Sequence, residues 1–286
     1  MTARPTSRNT PPRAGGPEPH DSLRRLYEDP ATPVASGPDR ARRQAALLAS
    51  ALHRDPAPSA SPHQSPGHHP PAPRTVLDIG CGDGTAAAVM AETLGPRHRL
   101  VGIDWSQDAL RRARGHLTAV RGELTAPGLP FADGSADAVV LSEVIEHLVD
   151  PDAALDELRR VLRPGGHLLL STPNLAAWYN RALLLCGTQP VFSEVSLRGI
   201  HGRPGSQVVG HLRLYTAAAL RSLLPATGFT DVRLAGAPYH DVPRPFRPLD
   251  RLACRVPSLS SILLVHARKP SGRTAGTSGA VGAGNR

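Results

Sequence analysis

The residues best placed for chemistry form a glycine-rich turn after a short apolar run. The run is Thr75–Ile79, and Gly80, Gly82 and Gly84 alternate behind it. Glycines at a strand-to-helix turn let a ligand approach the backbone closely because no Cβ intervenes. The helix that follows supplies free N–H groups. The spacing G-x-G-x-G differs from the dinucleotide fingerprint G-x-G-x-x-G, and no lysine follows to make a P-loop.

Carboxylates surround this turn. Asp104 ends the next apolar run, where its oxygens could hold two ribose hydroxyls, or it could cap the helix that starts near Ser106. Further acids lie near the predicted strand ends: Asp78, Asp83, Glu123 and Glu143. Such a rim would repel a pyrophosphate and attract a cation. It therefore favours S-adenosylmethionine, which carries a sulfonium, an ammonium and no phosphate, over NAD.

Alternating strands and helices must position these groups. Strands are predicted at Thr75–Ile79, Arg99–Ile103, Ala138–Leu141, His167–Ser171, Val232–Ala235 and Ile262–Ala267. Helices are predicted at Thr85–Leu94, from Ser106, at Pro151–Leu162 and at Ala217–Leu224, with a turn at Arg163–Gly166. Strands and helices that alternate with short connections are typical of a doubly wound α/β fold with a mostly parallel sheet.

The chain divides by composition into a core and its flanks. Residues 1–38 are expected to be a mostly disordered arm, 39–53 a docking helix with Asp39 as its N-cap, and 54–73 a proline-rich linker. Residues 74–268 form the predicted domain, in which 174–216 is a long insertion on the acceptor side, and 269–286 are a disordered tail.

Composition narrows the function classes. The chain has 286 residues, 40% of them hydrophobic, and a net charge of +9. Residues 74–268 hold only +3 of that charge, a weak footprint for nucleic acid. The three cysteines form no C-x-x-C pair, which predicts neither a disulfide framework nor a zinc site. No apolar stretch is long enough to span a membrane and no secretory signal is visible, so we expect a cytoplasmic protein without a membrane partner.

Four motifs in order resemble class I S-adenosylmethionine-dependent methyltransferases. The resemblance is closest to the type 11 small-molecule group, which includes ubiquinone-biosynthesis O-methyltransferases. The motifs are VLDIGCGDGT (76–85), LVGIDWS (100–106), LPFADGSADAVVLSEVIEHL (129–148) and LRRVLRPGGHLLLSTPN (158–174). The resemblance covers roughly residues 74–268. It implies a Rossmann-like sheet of seven strands, with helices on both faces and the last strand antiparallel and inserted next to the sixth.

The resemblance also implies a cofactor site. Gly80 and Gly82 would face the cofactor, Asp104 would hold the ribose and Glu123 would contact the adenine amino group. Trp105 would lie against the adenine, although a large ring after a strand is often only core cover. The predicted cofactor-binding residues are Asp78, Gly80, Cys81, Gly82, Gly84, Asp104, Trp105, Glu123, Leu124, Ser142 and Glu143.

The methyl-acceptor side centres on two histidines. His147 follows a strand-end loop and could act as a general base. Glu143, Glu146 and His147 could instead ligate a divalent cation, or simply shape the cofactor site, and no metal is predicted. The segment Gly210–Thr216 resembles a recurring G-H-x-R-x-[FY]-T segment of this group, with Thr216 as a helix N-cap.

That segment places two more polar groups at the edge of the acceptor pocket. His211 is the second catalytic candidate beside His147. Arg213 could bind an acidic acceptor or pair with Glu194. The predicted substrate-binding residues are Arg213, Trp178, Tyr179 and Tyr215.

The leading prediction is an S-adenosylmethionine-dependent methyltransferase that acts on a small molecule at oxygen. An NAD(P)-dependent oxidoreductase is the first alternative, but the spacing of the glycines and the acidic rim oppose it. A non-catalytic module that binds S-adenosylmethionine fits the same motifs. A nucleic-acid methyltransferase is opposed by the missing Asn-Pro-Pro-Tyr or Asp-Pro-Pro-Tyr signature. The acceptor and the oligomeric state stay open.

Overall fold

A seven-stranded sheet forms the centre of the computed structural model, which describes residues 38–55, 73–124, 128–196, 199–205 and 210–272. The strands are β1 (Thr75–Ile79), β2 (Arg99–Asp104), β3 (Thr118–Arg121), β4 (Ala136–Ser142), β5 (Leu162–Pro173), β6 (Thr230–Ala237) and β7 (Ile262–Arg268). Their order is β3-β2-β1-β4-β5-β7-β6, and β7 runs antiparallel to both of its neighbours. This topology confirms the predicted fold class, including the inserted last strand.

Helices cover the sheet on both faces. They are α1 (Pro38–Arg54), α2 (Thr85–Leu94), α3 (Gln107–Ala113), α4 (Pro151–Val161), α5 (Trp178–Leu185), α6 (Ala217–Ala226) and α7 (Arg247–Ala253). One large core packs α4 and α6 against the sheet, and a second packs α1 and α2 against it. None of the helices that the structure describes combines the length and the apolar character needed to cross a bilayer.

Polar side chains start several helices. Ser106 Oγ accepts from the N–H of Ala109 at 3.3 Å, so it caps α3 without help from Asp104. Thr216 Oγ1 accepts from the N–H of Ala219 at 3.1 Å, which confirms the predicted cap of α6. These hydrogen bonds satisfy donors that a helix leaves open in its first turn.

Helix α1 lies where the docking helix was expected. Ala45, Leu48 and Leu52 recur at helical spacing and pack in one cluster with Met90 of α2. The helix begins at Pro38, one residue before the expected cap, so Asp39 lies within its first turn. The predicted arm up to residue 37, most of the linker (56–72) and the tail from 273 lie outside the described residues.

Four elements differ from the sequence analysis. β3 was not predicted, because its four residues form a half-exposed edge strand. The stretch predicted as a turn at Arg163–Gly166 belongs to β5, which begins at Leu162 and shifts register against β4. Helices α5 and α7 were also not predicted, and α7 lies in the connection between β6 and β7.

Candidate active site

The glycine turn joins β1 to α2 at the carboxyl ends of the strands. Gly80 has φ +71°, and a Cβ there would come within 2.5 Å of Val144 Cγ2. Gly84 has φ +82°, and a Cβ there would come within 3.0 Å of the Ala113 Cα in α3. Both positions therefore need glycine for close packing of the turn against its neighbours as well as for the left-handed backbone.

Asp104 at the end of β2 organises the same turn. Its Oδ2 accepts from the N–H of Gly82 at 2.9 Å and its Oδ1 from the N–H of Ser106 at 2.8 Å. Burial raises the pKa of Asp104, and these backbone hydrogen bonds oppose the rise. The carboxylate is thus fixed at the strand end, and each oxygen keeps a further lone pair for a ligand hydroxyl.

Asp78 is a buried carboxylate with an unused oxygen. Its Oδ2 has no hydrogen-bond partner, and the side chain is almost fully buried. Burial raises the pKa of Asp78 to about 7, the charge of Asp104 adds to the rise, and Arg40 opposes it. A carboxylate left in this state is poised to accept a cationic hydrogen-bond donor.

Two polar residues of α1 reach this site, and sequence reasoning missed both. Arg40 pairs with Glu143, with Nη1 and Oε2 3.1 Å apart, and its charge also acts on Asp78 and Glu146. Gln44 accepts from the hydroxyl of Ser142 at 3.1 Å, while its buried amide nitrogen has no partner. The available signal was their spacing of four residues beside the apolar stripe of α1, which places them together on the face of the helix that is buried.

Glu143 adopts a strained backbone directly after β4. Its φ is +55°, in the left-handed region that residues other than glycine seldom occupy. Its side chain is held on two sides, because Oε1 accepts from the hydroxyl of Ser171 at 2.9 Å and Oε2 faces Arg40. Strain of this kind persists where the surrounding structure fixes it, and it is frequent at functional sites.

Glu146 lies one turn further and ties the insertion to the sheet. Its backbone carbonyl accepts from the N–H groups of Leu212 and Arg213 at 2.8 and 3.0 Å. Its side chain is fully buried; Oε2 accepts from the hydroxyl of Thr172 at 3.0 Å and Oε1 has no partner. Burial, and next the charge of Glu143, raise the pKa of Glu146 well above its usual range. Both effects disfavour the ionised form of this side chain.

His147 and His211 lie side by side, as two residues 64 positions apart in the chain. Their ring centroids are 4.8 Å apart. The Nδ1 atom of His147 is 2.9 Å from the Gly210 carbonyl, and that of His211 is 3.0 Å from the Phe192 carbonyl. A carbonyl can only accept, so each Nδ1 carries the proton and each Nε2 is the unprotonated nitrogen; that of His147 lies 3.9 Å from Glu146 Oε1.

Burial keeps both imidazoles neutral. It lowers the pKa of His147 to about 3, with the neighbouring His211 as the next cause. Burial lowers the pKa of His211 as well. The pair therefore offers proton acceptors, not cations, throughout the physiological range.

The same residues form a possible metal-ligand set. Among the described residues, one ligand atom each from Glu146, His147 and His211 lie within 4.8 Å of one another. This set differs from the one considered in the sequence analysis, since His211 replaces Glu143.

The other predicted cofactor residues lie around the turn. Cys81 is buried between the turn and α3, and burial raises the pKa of its thiol, so it contributes backbone and packing rather than a reactive sulfur. Trp105 is half-buried beside Asp104, and its carbonyl accepts from Arg121 at 3.3 Å. Glu123 and Leu124 follow β3, next to residues 125–127 that lie outside the described chain.

The predicted substrate residues do not form one group. Arg213 donates to the carbonyls of Leu148 and Val149. Glu194, the alternative partner considered for Arg213, accepts instead from the N–H groups of Gly210 and His211. Tyr215 is buried in the large core with its hydroxyl unpartnered.

Trp178 and Tyr179 also serve packing more than the pocket. The indole of Trp178 donates to Asp250 at 3.1 Å, away from the histidine pair. Tyr179 packs with Phe192 and Tyr239 in a small cluster. Of these aromatic groups, Phe192 lies nearest the histidines, with its ring centroid 6.2 Å from that of His211.

Comparisons with known proteins agree with this geometry. A family model described as a methyltransferase domain matches residues 40–234, more than half of the chain. The chain therefore belongs to that methyltransferase family, and the family and fold imply S-adenosylmethionine as the cofactor. The match begins at Arg40, so it includes the α1 residues that reach the site.

Two curated relatives carry informative names. A "Probable S-adenosylmethionine-dependent methyltransferase" of Mycolicibacterium smegmatis is 40% identical over 37% of this chain and 40% of its own length. A ubiquinone biosynthesis O-methyltransferase of Alkalilimnicola ehrlichii is 37% identical over 35% of this chain and 42% of its own. The chain thus spans less than half the length of these relatives.

A solved structure shows the same fold. A chain from the complex between the Trm112 methyltransferase activator of Haloferax volcanii and a methyltransferase superposes with a TM-score of 0.52. It is 19% identical, and the match covers 82% of this chain and all of that one.

The residues present fit S-adenosylmethionine. Asp78 offers an unused buried carboxylate oxygen to an ammonium, and Gln44 offers an unused amide N–H₂ to a carboxylate. Asp104 at the strand end suits a pair of ribose hydroxyls. The carboxylates of Asp78, Asp104 and Glu143 suit a ligand that brings positive charge.

Proposed function

We propose that the protein transfers a methyl group from S-adenosylmethionine to a hydroxyl of a small molecule. The observation that carries the proposal is the pair of neutral histidines beside the buried carboxylates: a proton acceptor lies next to a site built for a cation. The name of the ubiquinone biosynthesis relative supports oxygen as the methylated atom.

Binding of the cofactor rests on both ends of the site. Asp78 and the backbone of the glycine turn hold the amino-acid part, with Gln44 and Arg40 at its carboxylate. Asp104 holds the ribose, and Trp105 and Glu123 lie toward the adenine. When bound, the cofactor would supply a methyl group on a sulfonium: the acceptor oxygen would bond to the methyl carbon as the S–C bond breaks and the neutral thioether leaves.

The chain's own residues orient the acceptor and take its proton. His147 is the proposed base, because the Gly210 carbonyl fixes its ring through Nδ1, so that Nε2 is the nitrogen able to accept a proton. His211, which lies in the insertion 174–216, places its ring beside that of His147. Proton removal by a positioned side chain contributes typically about 10²–10⁴-fold to rate, and positioning of the two reactants contributes separately.

The first experiment separates the cofactors. Calorimetry with the full chain should show binding of S-adenosylmethionine and of its demethylated product, and none of NAD. Gly82→Arg should abolish that binding, since its side chain would fill the space that backbone and ligand share.

A matched substitution controls for folding. Gly115→Arg alters a glycine that has nothing within 4 Å of its added Cβ, so cofactor binding should persist. Binding of NAD without binding of S-adenosylmethionine would refute the assignment. Cofactor binding without methylation of any hydroxyl acceptor would leave a binding module in its place.

A further inference from the structure

An exposed, mixed apolar and basic surface lies on α7 and the turn that continues it. We call it the arginine–leucine face. Its members share high exposure and lie between residues 244 and 256: Arg244, Phe246, Arg247, Leu249, Arg251, Leu252, Arg255 and Val256. The apolar four are 50%, 46%, 55% and 47% exposed in chain order, which is unusual for large side chains of a folded domain.

The charge of this face has one sign. Between residues 242 and 261 the chain has four arginines and a single acid, Asp250. Asp250 points inward, where it accepts from Trp178 Nε1 and from the N–H of Tyr239 and pairs with the hydroxyl of Ser261. The acid therefore anchors the segment to the domain and leaves only positive charge outside.

The face is fixed rather than loose. Backbone hydrogen bonds continue the helical turns past Ala253, from Cys254 to Asp250 and from Val256 to Ala253. Arg247 braces the start of the segment by donating to the Val242 carbonyl at 3.0 Å. A preformed helix with apolar and basic side chains exposed together fits an interface between a polar and an apolar phase.

Aromatic rings connect this face with the catalytic end. Phe246 lies 6.1 Å from Trp178, and Tyr239 lies 4.9 Å from Phe192, which is next to His211. Asp250 joins these two ring contacts, because the Trp178 indole and the backbone N–H of Tyr239 both donate to its carboxylate. The face thus borders the side of the molecule that holds the histidine pair.

We propose that the arginine–leucine face docks on an anionic lipid surface. The arginines meet the lipid phosphates, while Phe246, Leu249, Leu252 and Val256 enter the boundary between headgroups and acyl chains. This reverses the expectation of no membrane partner that composition alone suggested, because the composition of the whole chain hides one local surface. The inference does not depend on the proposed methyl transfer.

The test uses the full chain and vesicles of two compositions. Equal parts of phosphatidylcholine and phosphatidylglycerol should retain the wild-type protein in a sedimentation assay at low salt. Phosphatidylcholine alone should retain much less, and added salt should weaken retention on the anionic vesicles.

Three double variants carry the same change of net charge. Leu249→Glu with Leu252→Glu removes apolar contacts, and Arg244→Gln with Arg251→Gln removes cations. Each should lower the partition onto anionic vesicles at least about tenfold. The control, Arg112→Gln with Arg114→Gln, alters exposed arginines around the end of α3 and should stay within about twofold of wild type.

Several results would overturn the proposal. One is a wild-type protein that does not bind anionic vesicles. Another is equal loss in the control, which would show a general charge effect. A third is a wild-type protein that is a dimer and does not bind vesicles, and that Leu249→Glu with Leu252→Glu converts to a monomer. That result would make the arginine–leucine face a protein interface. Thermal unfolding of each variant near the wild-type midpoint excludes misfolding.

Discussion

Two histidine pairs lie at opposite ends of the sheet, and they differ in what their nitrogen atoms face. His147 and His211, the upper pair, lie beyond the carboxyl ends of the parallel strands, with ring centroids 4.8 Å apart. His167 and His266, the lower pair, lie near the start of β5 at the opposite end of the sheet, with ring centroids 5.2 Å apart. Burial lowers the pKa of His147 to about 3 and that of His266 to about 4, so burial and charge state do not distinguish the pairs.

Hydrogen bonding does distinguish them. Nδ1 of His167 lies 3.0 Å from Nε2 of His266, so these two rings bond to each other, and Nε2 of His167 lies 3.5 Å from Asp55 Oδ2 without a hydrogen bond. In the upper pair Nδ1 of each ring bonds a backbone carbonyl instead of the other ring. The two pairs therefore share a lowered pKa but differ in what holds their rings.

The carboxylates around the two pairs show the same contrast. At the lower end, Asp55 and Asp137 are surrounded by arginines, and those contacts hold the pKa of each carboxyl below its usual value despite burial. At the upper end, burial raises the pKa values of Asp78, Asp104 and Glu146. The carboxylates at the lower end are paired with arginines, as in a structural ion-pair network. Those at the upper end have raised pKa values, as is frequent where a carboxylate binds a cationic ligand.

The largest expected effect separates the two histidine pairs. His147→Gln removes the imidazole nitrogen proposed to accept the proton, so kcat should fall about 10²–10⁴-fold while the cofactor Kd stays within about threefold. His266→Gln is the matched control at the lower end, where kcat should be nearly unchanged. Steady-state turnover and calorimetry on both variants make the comparison.

Other outcomes of this experiment assign other roles. If His147→Gln and His211→Gln both keep near wild-type kcat, histidine is not the base and positioning alone carries the reaction. Loss of cofactor affinity in His147→Gln would make the residue part of the cofactor site. Equal loss in both variants and on treatment with a chelator would favour the ligand set Glu146, His147 and His211.

The next effect concerns stability at the lower end. Asp137 Oδ1 accepts from Arg74 at 2.9 Å and Arg163 at 2.8 Å, and its Oδ2 accepts from the N–H of Thr75. Asp137→Asn leaves the nearly buried Arg74 charge uncompensated, which should lower the free energy of unfolding by about 3 kcal/mol. Urea unfolding at neutral pH measures it.

An exposed ion pair provides the control for Asp137. Asp133 pairs with Arg160 at 2.6 Å, but the Asp133 side chain is 81% exposed. Asp133→Asn should change the free energy of unfolding by less than about 1 kcal/mol. If Asp137→Asn and Asp133→Asn lower the free energy of unfolding equally, burial does not determine how much these ion pairs contribute to stability.

Much of the fold could be predicted because buried strands are short apolar runs that end in glycine or acid. TVLDI and RLVGID show this pattern, and both are strands. β3 was missed since TAVR buries little and forms an edge. α7 was missed because its exposed leucines and arginines follow no single buried stripe, and its anchor is the polar residue Asp250.

The upper site could be predicted only where the sheet alone positions it. Asp104 and His147 follow strands, so chain order already places them at one edge. Arg40 and Gln44 stand on a helix separated from β1 by a long proline-rich stretch, and local periodicity cannot say against which end of the sheet such a helix docks. Arg213 donates to the carbonyls of Leu148 and Val149, a contact within irregular segments that has no periodic signal in the sequence.

The last prediction tests whether the buried carboxyl of Asp78 destabilises the cofactor-free protein as pH rises. In the absence of cofactor, burial raises the pKa of Asp78 to about 7, whereas the unfolded chain releases this proton near 3.8. Between those values the unfolded state holds fewer protons, so Asp78 lowers the free energy of unfolding as pH rises. Asp78→Asn has no proton to lose, so without cofactor its free energy of unfolding should exceed that of wild type at pH near 8.

The pH dependence of Asp78→Asn then has a definite shape. Its advantage over wild type should shrink as pH falls toward about 4, where both side chains are neutral. Asp137→Asn should show the opposite trend, because a lowered pKa gives stability that is present at neutral pH and is lost as pH falls. Urea unfolding of wild type and both variants across this range measures the two slopes.

S-adenosylmethionine should stabilise wild type far more than Asp78→Asn, since the charged carboxylate of Asp78 would pair with the ammonium of the cofactor. If Asp78→Asn is less stable than wild type at pH 8 without cofactor, Asp78 belongs with the compensated carboxylates of the scaffold, and the contrast between the two ends of the sheet fails.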